Sequence, residues 1–193
     1  MRIKFNLNET LPLHVTGKLV SGYLDGKEKL LLWNMLCDEI NGLQRGYRLL
    51  THALVLMGNH YHWVCSYDVQ KDPYFFQFFE EMLNMAMAGA ISRKYRFTTF
   101  PKINPVRNFP QYKTLYRYVY RNPIDAGFVS KAHYYPYSSL FYLVKNKKLG
   151  FELRDNMNFI TDPFNTLMYV NEACDGETTN LYLESENEPM VID

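Results

Sequence analysis

The sequence predicts an α+β domain, because segments with the composition of strands alternate with segments of helical periodicity. Strands are indicated where apolar and β-branched residues follow one another, as in residues 11–23 and 53–66. Helices are indicated where apolar side chains recur every three or four positions, as in residues 27–43 and 111–127. With 193 residues, 47% of them hydrophobic, the chain is long enough for one domain, or for one domain with an appendage.

Composition argues against a membrane or secreted protein. No apolar run approaches the roughly 20 residues that span a bilayer, and residues 1–10 lack the apolar core of a signal peptide. The cysteines Cys37, Cys65 and Cys174 are odd in number and far apart, which favours a reducing compartment over a disulfide framework. Because no Cys-x-x-Cys pair is present, a zinc ribbon or finger is not expected either. We therefore expect a cytoplasmic protein without a membrane partner.

The net charge of +1 conceals an uneven distribution along the chain. Residues 172–193 hold seven acidic side chains and no Lys or Arg, so residues 1–171 carry a net charge of +8. A basic body suits a polyanionic partner. The acidic end suits either a solubilising, disordered tail, which we favour, or a mimic of that polyanion.

The first half of the chain predicts a strand, a helix and a second strand. Residues 11–23 form the first strand, where we interpret His14 as a structural group rather than a substrate contact. Residues 27–43 form the helix, and residues 47–55 return to a strand. The Gly58-Asn59 dipeptide that follows predicts a turn or a bulge.

Two histidines, His60 and His62, flank a single residue in the next strand-like segment. Since strand side chains alternate between faces, both imidazoles are expected to point the same way, with Cα atoms about 6.5 Å apart. Two imidazoles at this spacing can bind one divalent ion. The apolar strand carries them towards the interior, where unpaired imidazoles are costly. A metal or a hydrogen-bonded phosphate would satisfy them, and a purely structural pair is the alternative.

A second helix is predicted from residue 73 towards residue 95, with a stripe of Phe and Met that suits a core. Its basic end, residues 92–96, suits phosphate contact and base stacking, or simply a solvated helix end. Residues 98–110 are rich in proline and asparagine and predict a loop, with Lys102 and Arg107 available for phosphates.

A third helix is predicted from about residue 111 to a Gly127 cap. The stripe expected to face the core comprises Tyr112, Leu115, Tyr116 and Val119. Tyr118 and Asn122 are four positions apart, so they share one flank of this helix. Asn122 and Pro123 also have the composition of a cap and a first helical residue, so they alternatively restart a helix at this point.

Two stretches of this sequence resemble the motifs of one known family. His60-Tyr61-His62 after an apolar strand resembles the His-hydrophobic-His motif of single-tyrosine nucleases. Residues 118–129 (YVYRNPIDAGFV) and 135–139 (YPYSS) are similar to the second signature of the REP-associated tyrosine transposases. The order of strands and helices matches as well, and the resemblance covers roughly residues 11–143.

The resemblance implies a ferredoxin-like fold, in which an antiparallel sheet carries helices on one face. It implies a nuclease domain in residues 1–149 and an extension in residues 150–193. It also implies a transposase that uses Mg²⁺ or Mn²⁺ to cut single-stranded or hairpin DNA, as a monomer or homodimer at the bacterial nucleoid. The metal ligands would be His60, His62 and Asn122, and the nucleophile would be Tyr118. The side chains expected to contact DNA are Arg93, Lys94, Arg96, Lys102, Arg107 and Arg121.

The chemistry of such a site follows from general principles. A divalent metal neutralises phosphate charge and polarises its oxygen, while a tyrosine phenol, with a pKa of about 10, needs help from a base or cation to attack. Attack by Tyr118 would leave a 5′-phosphotyrosine and a free 3′-OH, so the reverse step rejoins strands. Two alternatives stay open: a non-cleaving nucleic-acid-binding module on the same fold, and a metal phosphoesterase that uses water and is indifferent to Tyr118.

Overall fold

The fold is an antiparallel sheet with helices packed against it. A computed structural model of the protein describes residues 11–154 and 163–172. The strands in this part of the chain are β1 (Pro12–Lys18), β2 (Leu50–Leu56), β3 (His60–Ser66) and β4 (Lys102–Pro105). The helices are α1 (Gly26–Gly46), α2 (Phe75–Ala90), α3 (Phe109–Asp125), α4 (Ser139–Val144) and α5 (Pro163–Asn171), with a short 3-10 turn at Ala132–Tyr134.

The four strands lie in the order β2-β3-β1-β4, and each neighbouring pair is antiparallel. Along the chain the first six elements run β-α-β-β-α-β, and the two outer strands are reached through α1 and α2. The predicted α+β class, with helices packed on an antiparallel sheet, is confirmed.

One face of the sheet is covered by α1 and α2. Trp33 and Leu36 of α1 and Phe79 of α2 are buried against Tyr61 and Trp63 of β3 in a single apolar cluster. Because Tyr61 and Trp63 alternate with the two histidines of β3, packing on this face forces the imidazoles onto the other face.

The opposite face of the sheet carries α3, α4 and α5. The predicted stripe of α3 is fully buried against β2 and β3. The apolar cluster on this face includes Ala53, Val55, Val64, Tyr112, Leu115, Tyr116 and Val119. The sheet is therefore the middle layer of three, and α3 is fixed over only one half of its second face.

A β-bulge in β2 lies where this face meets α3. The pairing of β2 with β3 shifts between Thr51 and Ala53, which leaves His52 as the extra residue. The buried His52 side chain lies 2.9 Å through Nε2 from the Ser66 hydroxyl, and its ring meets the ring of Tyr112 edge-on. His52 is thus a structural histidine of the α3 face.

A buried carboxyl group lies between α2 and the sheet. Glu80 accepts a hydrogen bond from the Tyr61 hydroxyl at 3.1 Å, and burial raises the pKa of Glu80 to about 8 against the opposing effect of that hydrogen bond. A Cβ atom at Gly17 of β1 would clash with both Glu80 and Tyr61. Glycine at this position is therefore a requirement of close packing.

Three local predictions are wrong at their boundaries. The predicted loop of residues 98–110 contains the short strand β4, whose proline is its last residue on an outer strand and so interrupts no ladder. The second helix ends at Ala90, before the basic residues 92–96. Pro123 does not restart a helix, since α3 runs continuously through it.

The two ends of α3 follow the capping signals of the sequence. Asn108 accepts from the backbone N–H of Gln111 at the N-terminus. Gly127, just past the C-terminus, adopts a positive φ of 73°, as predicted for its cap.

Part of the predicted extension packs against the domain. Leu153 pairs with Thr51 as an isolated parallel bridge, and α5 lies on α3 with Val170 buried. The predicted division at residue 149 stays a prediction, and the acidic tail beyond Glu172 lies outside the described residues. Among the helices of the described ranges, none is both long and apolar enough to cross a membrane.

Candidate active site

A row of polar side chains crosses the face of the sheet beside α3. In the register of β1 with β3, Thr16 pairs with His62 and Lys18 pairs with His60. On the other side of β1, Thr16 pairs with Lys102 of β4. Directly paired residues share a face, so these side chains form one strip beside α3.

The two imidazoles of β3 lie together on this strip. The ring centroids of His60 and His62 are 4.9 Å apart, and the rings are nearly perpendicular. His60 is partly exposed and His62 is buried. Thus the His60 imidazole is partly open to solvent, whereas the His62 imidazole is buried next to Tyr118 of α3.

His60 is held in a defined tautomer. Its Nδ1 lies 2.8 Å from Oδ1 of Asn59. An amide oxygen only accepts hydrogen bonds, so Nδ1 carries the proton and Nε2 keeps its lone pair. A metal-binding histidine needs this arrangement, with one nitrogen anchored by an acceptor and the other free for the ion.

His62 has a buried neighbour that the sequence did not single out as functional. Nδ1 of His62 lies 2.9 Å from Nε2 of His14 in β1, and the two rings are stacked. The other nitrogen, Nε2 of His62, is buried and has no hydrogen-bond partner in the described structure. A buried polar atom without a partner is costly, and a bound ion would relieve that cost.

The histidines of this cluster are neutral at physiological pH. Burial, and then the charge of Lys102, lowers the pKa of His14 to about 3. Burial, then His14 and His60, lowers the pKa of His62 well below its usual value, with Asn122 opposing the shift as a hydrogen-bonding neighbour. Burial and then Lys18 lower the pKa of His60. Metal binding requires neutral imidazole, and these environments supply it.

Tyr118 is the tyrosine of α3 whose ring contacts His62 and His14. Its ring centroid lies 5.5 Å from that of His62 and 6.3 Å from that of His14. Tyr116 is buried in the core of this face. Tyr120 is also buried, and its hydroxyl lies 2.8 Å from the hydroxyl of Ser139. The structure thus places the ring of Tyr118 beside His62, one of the predicted metal ligands.

Asn122 lies one turn after Tyr118 on the same flank of α3. Its Nδ2 donates to the Tyr118 carbonyl at 2.8 Å, and its side chain lies beside the His62 imidazole. With the amide nitrogen occupied, the amide oxygen is the atom available to an ion. The atoms that could hold a divalent metal here are His60 Nε2, His62 Nε2 and Asn122 Oδ1.

Within residues 11–154 and 163–172, no three His, Cys, Asp or Glu side chains are grouped so that they could hold a metal. The site therefore offers two imidazoles and a neutral amide, without a carboxylate. A divalent ion held here would need further oxygen ligands, which phosphate and water can supply.

The basic residues predicted to contact DNA fall into two groups. Four of them lie outside the paired strip and are exposed: Arg93, Lys94, Arg96 and Arg107. Lys102 is exposed beside the histidine strip, and Lys18, which the sequence analysis did not select, flanks it on the other strand.

Arg121 does not face this strip and is a correction. It is buried, and its guanidinium binds the Asn171 and Glu172 carbonyls at the end of α5 and the Asp125 carboxylate. The resemblance implies a DNA contact for Arg121, but its Nη1 and Nη2 donors bind the end of α5 and Asp125 instead.

His14, Thr16 and Lys18 are the residues of the site that sequence reasoning missed. Their spacing of two along a strand is the signal that they share a face. What the spacing does not reveal is which strand lies next to β1, and hence that His14 reaches His62.

Comparison with solved structures gives a match at the level of the fold. No protein-family model and no curated protein matches the chain. A solved structure of a REP-associated tyrosine transposase bound to a REP hairpin aligns with a TM-score of 0.56. The alignment covers 80% of this chain and 92% of that chain at 18% sequence identity. A structural match at so low an identity shows a shared fold alone.

Proposed function

We propose that this chain is a metal-dependent nuclease and strand transferase that acts on single-stranded DNA through a tyrosine nucleophile. The observation that carries the proposal is the grouping of Tyr118 and Asn122 with His60 and His62 where α3 meets the sheet. The alternative of a binding module without catalysis gives no reason for a phenol, an amide and two neutral imidazoles to converge.

His60, His62 and Asn122 would hold the divalent ion. The chemistry supplied by a bound Mg²⁺ or Mn²⁺ is neutralisation of phosphate charge and polarisation of a phosphate oxygen. The protein contributes the fixed tautomer of His60, through Asn59, and the burial that keeps both imidazoles neutral. Neither property requires the ion to be present, so the ligand set is preorganised.

Tyr118 would attack the phosphorus atom of a phosphodiester. A bond forms between the tyrosine oxygen and phosphorus as the bond from phosphorus to the 3′ oxygen breaks, and the phenol proton ends on the released 3′-OH. The product is a 5′-phosphotyrosine. Because the phosphoester bond is retained, attack by a different 3′-OH reverses the reaction and joins a new strand.

The substrate would lie across the strip of β1, β3 and β4 residues beside α3. Lys18 and Lys102 are the cations placed there, and phosphate neutralisation by such side chains makes binding salt-dependent. The structural neighbour was solved with a DNA hairpin. By analogy we propose single-stranded or hairpin-flanked DNA as the partner, and the bacterial nucleoid as the place of action, for a monomer or a homodimer.

The test is a denaturing gel of full-length protein incubated with a pool of labelled single-stranded hairpin DNAs and Mn²⁺. Wild type is compared with Tyr118→Phe and with Tyr120→Phe, which removes a buried hydroxyl from the same helix. A labelled covalent adduct is expected with wild type and Tyr120→Phe. It should disappear with Tyr118→Phe and with chelator.

Two other outcomes would replace the proposal. Cleavage without an adduct, unaffected by Tyr118→Phe, would indicate a phosphoesterase that uses water. Salt-dependent binding of the hairpins without either product would indicate the non-cleaving module.

A further inference from the structure

The buried pair of His14 and His62 joins β1 to β3 through their imidazole rings. Nε2 of His14 and Nδ1 of His62 are 2.9 Å apart, and both rings are buried. The two residues are 48 positions apart in the chain, and they are diagonal neighbours in the β1–β3 ladder, since His62 pairs directly with Thr16. The two imidazoles lie on the sheet face that carries α3, beside the apolar cluster of that face.

Two neutral imidazoles in hydrogen-bond contact have two possible proton arrangements. Either His62 donates from Nδ1 to His14, or His14 donates from Nε2 to His62. In the first arrangement Nε2 of His62 has a free lone pair that points towards the Tyr118 and Asn122 flank. In the second arrangement Nε2 of His62 carries the proton and cannot bind a cation.

We propose that His14 is a positioning residue, which accepts the Nδ1 proton of His62 and so holds Nε2 of His62 ready for the divalent cation. This inference deepens the proposed function and rests on it, since it assigns His14 to the same site. His14 then does for His62 what Asn59 does for His60, and both imidazoles are anchored at Nδ1.

The accepting role of His14 follows from what an ion on His62 requires. Once an ion occupies Nε2 of His62, the proton of that imidazole must be on Nδ1, and Nε2 of His14 is the atom that faces Nδ1 at 2.9 Å. The Thr16 hydroxyl, 3.3 Å from the same Nε2 of His14, can donate or accept and is compatible with either proton arrangement. His14 is therefore the acceptor that the metal-binding arrangement of His62 needs.

The first experiment measures Mn²⁺ affinity of the full chain by electron paramagnetic resonance, without DNA. In His14→Leu the acceptor is lost, and we expect affinity to fall about 10- to 100-fold, as is typical when the anchor of a metal-binding histidine is removed. In His14→Gln the amide oxygen reaches the place of Nε2 and still accepts, so affinity should stay within about threefold of wild type.

His52→Leu is the matched control for this experiment. His52 is also a buried strand histidine on the α3 face with a hydrogen bond through Nε2, but it bonds to Ser66 and does not touch His62. Loss of a buried imidazole at this position should cost stability while leaving Mn²⁺ affinity unchanged. A fall equal to that of His14→Leu would assign the effect to folding and overturn the positioning role.

The second experiment reads the tautomer directly in the metal-free protein, by ¹⁵N chemical shifts of the histidine rings. Wild type and His14→Gln should show the His62 proton on Nδ1, and His14→Leu should show redistribution towards Nε2. A wild-type His62 with its proton on Nε2 would overturn the inference, whatever the affinities are.

The two experiments separate this inference from the proposed function. Absence of Mn²⁺ binding to wild type, or undiminished binding by His62→Ala, would refute the metal site, and the ring shifts would still decide the role of His14. Normal binding by His14→Leu, together with loss of binding by His62→Ala, would refute the role of His14 and leave the metal site intact.

Discussion

The buried carboxyl group of Glu80 makes the stability of this protein fall as pH rises. Burial raises the pKa of Glu80 to about 8, whereas an unfolded chain gives a glutamate its ordinary value near 4.5. Between these values the folded protein holds a proton that the unfolded chain has released, so deprotonation favours unfolding. The stabilisation is complete below pH 4.5 and is lost as pH rises to about 8.

The size of the effect follows from the same two values. Each unit of difference in pKa corresponds to about 1.4 kcal/mol, so the contribution of Glu80 falls by about 4 kcal/mol between pH 5 and pH 8. Glu80→Gln removes this slope, because the amide has the shape of the protonated acid and keeps an acceptor for the Tyr61 hydroxyl. We therefore expect the stability of Glu80→Gln relative to wild type to increase steadily across this range.

The assay is urea unfolding of both proteins at half-unit steps from pH 5 to pH 8. The difference between the two free energies of unfolding isolates Glu80, since titrating histidines contribute equally to both proteins. Glu81→Gln is the control, because Glu81 is the next residue of α2 and is exposed. A constant difference between Glu80→Gln and wild type would show that the carboxyl is ionised in the folded protein and would refute the reasoning.

Three further predictions concern stability. Gly17→Ala should lower the free energy of unfolding, measured with urea, by about 1–3 kcal/mol, because the added Cβ clashes with Glu80 and Tyr61. An unchanged free energy would mean that the Glu80–Tyr61 pair moves aside at no cost. Arg121→Met should make α5 more sensitive to limited proteolysis than it is in wild type while the sheet stays protected, since the guanidinium binds the carbonyls at the end of α5. Protection of α5 equal to that in wild type would show that apolar packing alone holds this helix. Burial and then Arg154 lower the pKa of His52 to about 4, so below pH 6.5 the unfolded chain binds a proton at His52 that the folded protein does not. His52→Gln should therefore lose less stability than wild type between pH 6.5 and pH 4. An identical pH dependence of the free energy of unfolding in urea would contradict this.

Local periodicity was enough to predict the parts of the site that lie on one element. The spacing of two in β3 puts His60 and His62 on one face, and the spacing of four in α3 puts Tyr118 beside Asn122. These relations depend only on strand and helix geometry, which the chain fixes locally. The antiparallel sheet itself came from the resemblance of the motifs and their order.

Relations between distant elements were beyond such reasoning. His14 was interpreted as structural because its contact with His62 depends on the pairing of β1 with β3, which no local pattern contains. Arg121 has the charge expected of a phosphate contact, but it is bound by the end of α5, some 50 positions later in the chain. The strand β4 is four residues long with a terminal proline, and its strand conformation comes from pairing with β1.

The order of the elements along the chain also determines when the candidate site becomes complete during synthesis and folding. The proposed site combines His60 and His62, which come early in the chain, with Tyr118 and Asn122, which follow more than 50 residues later. A nascent chain that stops short of α3 contains the imidazoles but lacks the proposed nucleophile. Contacts between residues so far apart in sequence slow folding, because the entropy of loop closure is lost before the stabilising contacts form. On the proposed function, an incomplete or unfolded copy is harmless to DNA, and cutting begins only once the whole sheet and α3 have come together.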